Sequence, residues 1–149
     1  MSDMFSMLEI SGSAMSAERQ RAEVVAANLA NANTTRTAEG GPYRRKEVVF
    51  ASSGNSPFRL AFQRAKELLG LGHSAVRVER VVADPAAPLL RYEPGHPDAN
   101  AQGFVAYPAI NPIQEMVDLM GAVRSYQLNA SAVSASKQMF QQAIDILRS

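Results

Sequence analysis

Apolar residues recur at alternating intervals of four and three near the start of the chain. The series is interrupted only by Ser11 and Glu18. This is the heptad spacing of a helix that packs along another helix. The positions are Met4, Leu8, Ser11, Met15, Glu18, Ala22, Val25 and Leu29. The pattern predicts a long N-terminal helical segment, residues 1–34.

A second apolar series with the same spacing occupies the last quarter of the chain. It predicts a C-terminal segment, residues 112–149, whose helix runs from Ile113 to Arg148 and is about 54 Å long at 1.5 Å per residue. Pro112 precedes this helix, where its missing amide hydrogen costs nothing. The positions are Met116, Leu119, Val123, Tyr126, Ala130, Val133, Lys137, Phe140, Ile144 and Leu147.

Short β-type runs separated by turn residues fill the middle, residues 35–111. "YRRKEVVF", "VRVERVVA", "PLLRYEP" and "GFVAYP" are strand candidates. "SPFRLAFQRAKELLG" instead has helical spacing, with Ser56 as its cap. The predicted fold is α+β, with the long terminal helices pairing as a coiled coil and a small β-rich insert between them.

Charge and cysteine content exclude several classes of function. The chain has 149 residues, a net charge of +1, 19% charged residues and no cysteine. Nothing here indicates a nucleic-acid partner, and no disulfide or thiolate metal site is possible. The sequence contains no transmembrane run, and its first residues lack the pattern of a cleaved export signal. Both terminal helices are poor in charge, which suits helices with neighbours on several sides.

Candidate catalytic and cofactor motifs are weak. His73 and His96 lack a second ligand at metal-binding spacing and are interpreted as turn residues. "GLG" lacks the rest of a dinucleotide fingerprint, and the serine of "ISGSA" lies within a helical pattern. "YRRK" is interpreted as a solvated strand edge. The sequence therefore predicts no enzyme, no cofactor and no metal.

The first helix ends in "AANLANANTTRT". Asparagine tolerates the left-handed conformation of a helix end, and threonine competes for backbone hydrogen bonds. One asparagine would suffice to stop the helix, yet Asn28 and Asn31 still lie in the helical register around Leu29. We therefore expect both to meet polar partners on another surface.

Three stretches together resemble the flagellar axial proteins, and the proximal rod proteins among them. They are "AANLANANTTRTAEGGPYRRKEVVF", "VVADPAAPLLRYEPGHPDANAQGFVAYP" and "EMVDLMGAVRSYQLNASAVSASKQM". The resemblance covers well over half of the chain, in the family's order. Residues 51–75 lie outside it.

The resemblance implies a structural subunit of the flagellar rod, the drive shaft that crosses the periplasm. Such proteins are exported unfolded by the flagellar type III apparatus without a cleaved signal. They assemble with the other proximal and distal rod proteins and with the basal adaptor protein. Their terminal helices pair as an inner coiled-coil layer, and the middle segment lies outside it.

Within this scheme, we expect the apolar residues of the two helices to pair and the polar ones to contact other subunits of a helical assembly. The expected coiled-coil positions are Leu8, Met15, Val25, Leu29, Met116, Leu119, Val123, Tyr126, Val133, Phe140, Ile144 and Leu147. The expected polar contacts are Asn28, Asn31, Thr34 and Asn129.

Other interpretations fit the same residues. The chain could be an autonomous binding module whose terminal helices form a closed homodimeric coiled coil. It could be a small enzyme acting around His73 or His96, or a different rod subunit of the same family. The polar and apolar positions of both helices could also serve only to hold one monomer together.

Overall fold

The described part of the chain contains two long helices and two two-stranded sheets. The computed structural model describes residues 2–52 and 75–148, with side chains for residues 6–52 and 75–146. The elements are α1 (Ser2–Ala30), β1 (Lys46–Ser52), β2 (Val76–Ala83), β3 (Leu89–Tyr92), β4 (Phe104–Tyr107) and α2 (Pro112–Arg148). The α+β class and the four predicted strands are confirmed. The helix predicted from Ser56 onward lies outside the described residues.

β1 and β2 are neighbours in one sheet. The amide of Asp84, just after β2, donates to the carbonyl of Arg45, just before β1, with an N···O distance of 2.7 Å. The end of β2 therefore lies beside the start of β1, as in an antiparallel pair.

β3 and β4 form an antiparallel pair in which Leu90 lies opposite Ala106 and Tyr92 lies opposite Phe104. Successive side chains of a strand point to opposite faces of the sheet. Val105 is fully buried on one face. We call the other face, with Leu90, Tyr92 and Phe104, the outer hairpin face.

α2 begins with a standard N-terminal cap. The side-chain oxygen of Asn111 accepts a hydrogen bond from the amide of Ile113 at 3.1 Å. The carbonyl of the same asparagine accepts the first helical bond, from Glu115. Pro112 is the first helical residue, where proline needs no amide hydrogen. These contacts fix the direction in which α2 starts.

The contacts divide the chain into two units. Unit 1 comprises residues 1–20, 50–79 and 122–149. Its buried side chains, among those described, are small: Ser11, Ala17, Ala122 and Ser136. The hydroxyl of Ser136 contacts the sulfur of Met7 at 3.6 Å, which places these parts of α1 and α2 side by side. Such residues bury little apolar area, so the part of unit 1 that the structure describes has few large buried side chains.

Unit 2 comprises residues 21–49 and 80–121. Its buried set is larger and mixes apolar with polar side chains. These residues are Val25, Asn28, Ala32, Val105, Ile110 and Glu115. The densest side-chain hydrogen bonding of the described residues lies here, around Asn28 and Glu115. None of the described helices is long and apolar enough to cross a membrane.

Candidate functional site

Asn28, in the last turn of α1, is completely buried and makes four hydrogen bonds. Its amide nitrogen donates to the carbonyl of Lys46 at 2.8 Å and to Oε2 of Glu115 at 3.0 Å. Its amide oxygen accepts from the backbone N–H of Lys46 at 2.9 Å and from the hydroxyl of Tyr43 at 3.2 Å. The side chain is therefore satisfied within the chain, which explains its polarity without another subunit.

Glu115 is 1% exposed and balances its charge against Arg45. Nε of Arg45 donates to Oε1 of Glu115 at 2.6 Å, and the same guanidinium also contacts Glu47 and lies 3.8 Å from Asp118. Burial on its own lowers the pKa of Arg45, but the hydrogen bonds to Glu115 and Glu47 outweigh it and raise the pKa above its ordinary value. We call Asn28, Tyr43, Arg45 and Glu115 the junction cluster, because it joins α1, the start of β1 and α2.

The junction cluster corrects one interpretation made from the sequence. The sequence "YRRK" predicts a solvated strand edge, but the side chain of Arg45 is only 20% exposed and its guanidinium pairs with the buried carboxylate of Glu115. Arg44 and Lys46 on either side of it are exposed, as expected. The alternation follows from the extended backbone, whose side chains point to opposite sides in turn.

Tyr43 contributes a half-buried phenol to the cluster. Burial, and then the nearby charge of Glu115, raises the pKa of Tyr43 above its usual value. The phenol therefore stays protonated and can donate its hydrogen to Asn28.

The segment after α1 forms a closed loop. The side-chain nitrogen of Asn31 donates to the carbonyl of Ala27 at 2.9 Å, and the hydroxyl of Thr34 donates to the Asn31 side-chain oxygen at 3.1 Å. The backbone amide of Tyr43 donates a hydrogen bond to the carbonyl of Thr34, which closes the loop. These bonds end the helix and reverse the chain. Much of the polar character of this segment is thus explained by hydrogen bonds that end α1 and turn the chain.

A second contact attaches this loop to the turn between β3 and β4. The hydroxyl of Thr35 donates to Asp98 at 2.7 Å, and Arg36 lies 3.8 Å from the same carboxylate. The helix exit and the hairpin of unit 2 are thereby held together.

The buried positions of α2 differ from those expected. Glu115, Ala122 and Ser136 are buried, and they follow heptad spacing one residue before the expected positions Met116, Val123 and Lys137. Small and polar side chains therefore face inward. The residues of α2 that are exposed include Met116, Val123, Tyr126 and Ile144.

The remaining expected positions have intermediate exposure or are buried. Val25 is buried. Those of intermediate exposure are Leu8, Met15, Leu29, Asn31, Thr34, Leu119, Asn129, Val133 and Phe140. Asn129 donates to the carbonyl of Ser125 in its own helix. The side chain of Leu147 lies outside the described residues.

Sequence reasoning missed Arg45 and Glu115. One signal was present: Glu115 is a carboxylate in a helix that is poor in charge, placed next to the apolar series. Its partner could not be named, because it lies 70 positions earlier in a loop.

His96 belongs to no group of three metal-binding side chains among the described residues. Nδ1 of His96 accepts a hydrogen bond from the amide of Asp98, and its ring lies against Tyr107. This is the turn role predicted for His96. His73 lies outside the described residues.

Comparison with known proteins defines the class. Residues 8–36 match the sequence profile described as "Flagella basal body rod protein", which covers most of α1 and its exit loop. Residues 101–146 match "Flagellar basal body rod FlgEFG protein C-terminal", which covers β4 and most of α2. Both matched segments contain parts of the junction that joins the two helices. The chain is a structural subunit of the flagellar basal-body rod, and not an enzyme.

Similarity along the whole chain gives the particular family. The flagellar basal-body rod protein FlgC of Bacillus subtilis is 40% identical over 95% of this chain and 97% of the relative. The FlgC of Borreliella burgdorferi is 36% identical over 97% and 98%, and that of Aquifex aeolicus 35% over 97% and 98%. The chain belongs to the FlgC family.

Proposed function

We propose that this chain is a proximal-rod subunit that assembles helically with itself and with the other proximal and distal rod proteins to transmit torque. One observation carries the proposal: α2 turns small and polar side chains inward and leaves large apolar ones exposed. Among these are Val123, Tyr126 and Ile144. An apolar series at heptad spacing that one chain leaves open is completed by helices of other subunits.

Contacts within each unit support antiparallel packing of the two helices. In unit 1, Met7 meets Ser136. In unit 2, Arg21 lies 3.9 Å from Asp118, and Asn28 bonds to Glu115. Earlier residues of α1 are thus paired with later residues of α2. We propose that this pairing becomes a coiled coil in the assembled rod, where it forms the inner layer and the strands lie outside.

The polar residues of intermediate exposure take a different role from Asn28. We propose that Asn31, Thr34 and Asn129 contact neighbouring subunits with the hydrogen-bonding capacity they retain, whereas Asn28 holds α1 to β1 and α2 from within. A polar rim beside an apolar face is the usual arrangement of an interface.

Amide hydrogen exchange tests the assembly proposal. The small size of the buried side chains described for unit 1 predicts rapid exchange in the first turns of α1 and the last turns of α2 in the dilute purified chain, because small side chains bury little apolar area. The same amides should be protected in isolated basal bodies. Strong protection of both termini in a dilute monomer, or a closed dimer that never enters the rod, would overturn the proposal.

We further propose that the chain crosses into the periplasm unfolded, through the flagellar type III apparatus, and joins the rod by way of the basal adaptor protein. A cysteine-free sequence suits passage into an oxidising compartment, because no incorrect disulfide can form. The intact mass of the chain recovered from basal bodies tests the absence of a cleaved signal. A shortened N-terminus would contradict it.

A further inference from the structure

Two apolar surfaces of unit 2 remain open after the chain has folded. The first is the outer hairpin face, on which Leu90 and Tyr92 are each 66% exposed. The second lies on the first two turns of α2, and its residues are between 54% and 74% exposed. We call it the α2 apolar face; it consists of Ile113, Met116, Val117 and Met120, at the i, i+3, i+4, i+7 spacing of a helix that docks on another surface.

The outer hairpin face is ordered before any partner arrives. The rings of Tyr92 and Phe104 pack edge to face with their centres 5.4 Å apart. The Tyr92 ring also lies close to Gly103, at φ 81°, where a Cβ atom would come within 2.9 Å of the ring. An exposed aromatic ring held in one orientation loses little entropy on binding, and such residues anchor interfaces.

The chemistry of the two faces is complementary. One is a flat aromatic and aliphatic surface, and the other is a convex helix surface with two methionines. Methionine sulfur interacts favourably with aromatic rings, and its unbranched side chain adapts to them. Neither set of residues includes a charge that docking would bury.

We infer that the outer hairpin face of one copy docks on the α2 apolar face of the next copy. Because the two faces are different patches of one chain, the contact is heterologous, and repetition of it gives an open series of subunits instead of a closed dimer. The inference rests on the proposed self-assembly and specifies which surfaces carry it.

The areas of the two faces suit a contact that forms only within a larger assembly. Each face exposes about 300–500 Å² of apolar surface, a size that is often functional. Together they give about 800 Å², below the roughly 1,200–2,000 Å² of a specific stable complex. The contact is therefore too small to hold two free copies together and forms only where other helix contacts add to it.

Disulfide cross-linking tests the inference, and the absence of native cysteine makes the result specific. Cells would produce two copies that differ in size by a tag, one with Leu90→Cys and the other with Met120→Cys. Basal bodies would be isolated and oxidised. On a non-reducing gel, we expect a band at the combined mass of the two tagged variants. A disulfide forms only when the two Cα atoms come within about 7 Å, so this band would show that position 90 of one copy lies beside position 120 of another.

The matched control replaces Leu90→Cys by Leu89→Cys, which lies on the opposite face of β3. It should give no mixed dimer.

Absence of the Leu90–Met120 cross-link from rods that contain both variants would overturn this inference but not the proposed function. So would a Met120→Cys dimer formed without the partner variant, or photo-cross-linking of position 120 to a different rod protein. Absence of the unmodified chain from the rod would instead overturn the proposed function.

Discussion

The side chain of Asn28 pairs with the backbone of Lys46 through two hydrogen bonds, one to its N–H and one to its carbonyl. A neighbouring strand would satisfy a residue in the same way. These two hydrogen bonds hold the first residue of β1 against the end of α1. Asn28 also bonds to Glu115, so one side chain sets the position of three elements.

Replacing Asn28 by alanine should destabilise unit 2. The change removes the hydrogen bonds that Asn28 makes to the backbone of Lys46, to the half-buried phenol of Tyr43 and to the buried carboxylate of Glu115, at a cost of about 2–4 kcal/mol. Urea denaturation followed by tyrosine fluorescence measures it, because the chain has no tryptophan. Asn33→Ala, at an exposed position of the same segment, is the control and should change stability by less than about 0.5 kcal/mol. Equal effects of the two variants would contradict the role of Asn28.

Removing the buried carboxylate should also destabilise unit 2. Glu115→Ala takes away the buried partner of Arg45 and one acceptor of Asn28. Because Arg45 keeps Glu47 and Asp118, we expect a loss of about 3 kcal/mol, the lower end for a broken buried ion pair. The same denaturation experiment measures the loss. Glu47→Gln removes the more exposed of the two carboxylates hydrogen-bonded to Arg45 and should cost no more than about 1 kcal/mol. A mild effect of Glu115→Ala would show that water replaces the pair.

Stability should fall in alkaline solution. The pKa of Tyr43 is raised above its unfolded value, so its contribution is complete below pH about 10 and is lost as pH rises through the folded pKa. The pKa of Tyr107 is raised as well, first by its hydrogen bond to Glu93. Denaturation midpoints between neutral pH and pH about 11 should decline, and Tyr43→Phe should make the decline shallower. Parallel curves for the variant and the unmodified chain would exclude Tyr43 as a cause.

Gly103→Ala should disturb the outer hairpin face. The backbone at φ 81° disfavours any side chain, and the new methyl would displace the ring of Tyr92. We expect a loss of about 1 kcal/mol or more in stability, and less incorporation into rods. Gly95→Ala, in the same connecting segment, meets no atom within 4 Å and is the control. Normal incorporation of the Gly103 variant into rods would show that assembly does not depend on the orientation of Tyr92.

A charge on the open side of α2 should block assembly without unfolding the chain. Val123 is exposed, so Val123→Glu leaves the buried residues of unit 1 unchanged. In the assembled rod the same carboxylate would be buried without a partner, which is strongly unfavourable. Motility and the amount of chain in basal bodies measure the outcome. Gln127→Glu, also exposed, controls for added charge, and a motile Val123 variant would contradict the proposed interface.

Local spacing predicted the helices and strands, since hydrophobic period and turn residues are properties of short segments. The four strands and both helices follow from it. The buried positions of α2 did not follow from it, because the large apolar residues that define the spacing are mostly exposed in the single chain. The buried positions are instead Glu115, Ala122 and Ser136. Such small and polar side chains carry no apolar period, so spacing alone cannot identify them.

The junction cluster shows a second limit of sequence reasoning. Asn28 was singled out from the sequence, and a polar partner was expected for it. The identity of that partner depended on bringing together residues from a helix, a loop and a second helix. Arg45 was misread for the same reason, because its surroundings come from distant positions.

Glu115 is 87 positions from Asn28 and 70 from Arg45. A chain that has emerged from a channel only as far as its insert cannot close the junction cluster, because α2 is still missing. Non-local contacts of this kind also form slowly. Under the export route proposed above, closure of the cluster would follow the arrival of nearly the whole polypeptide, and a subunit that travels extended would not become rigid before α2 has crossed.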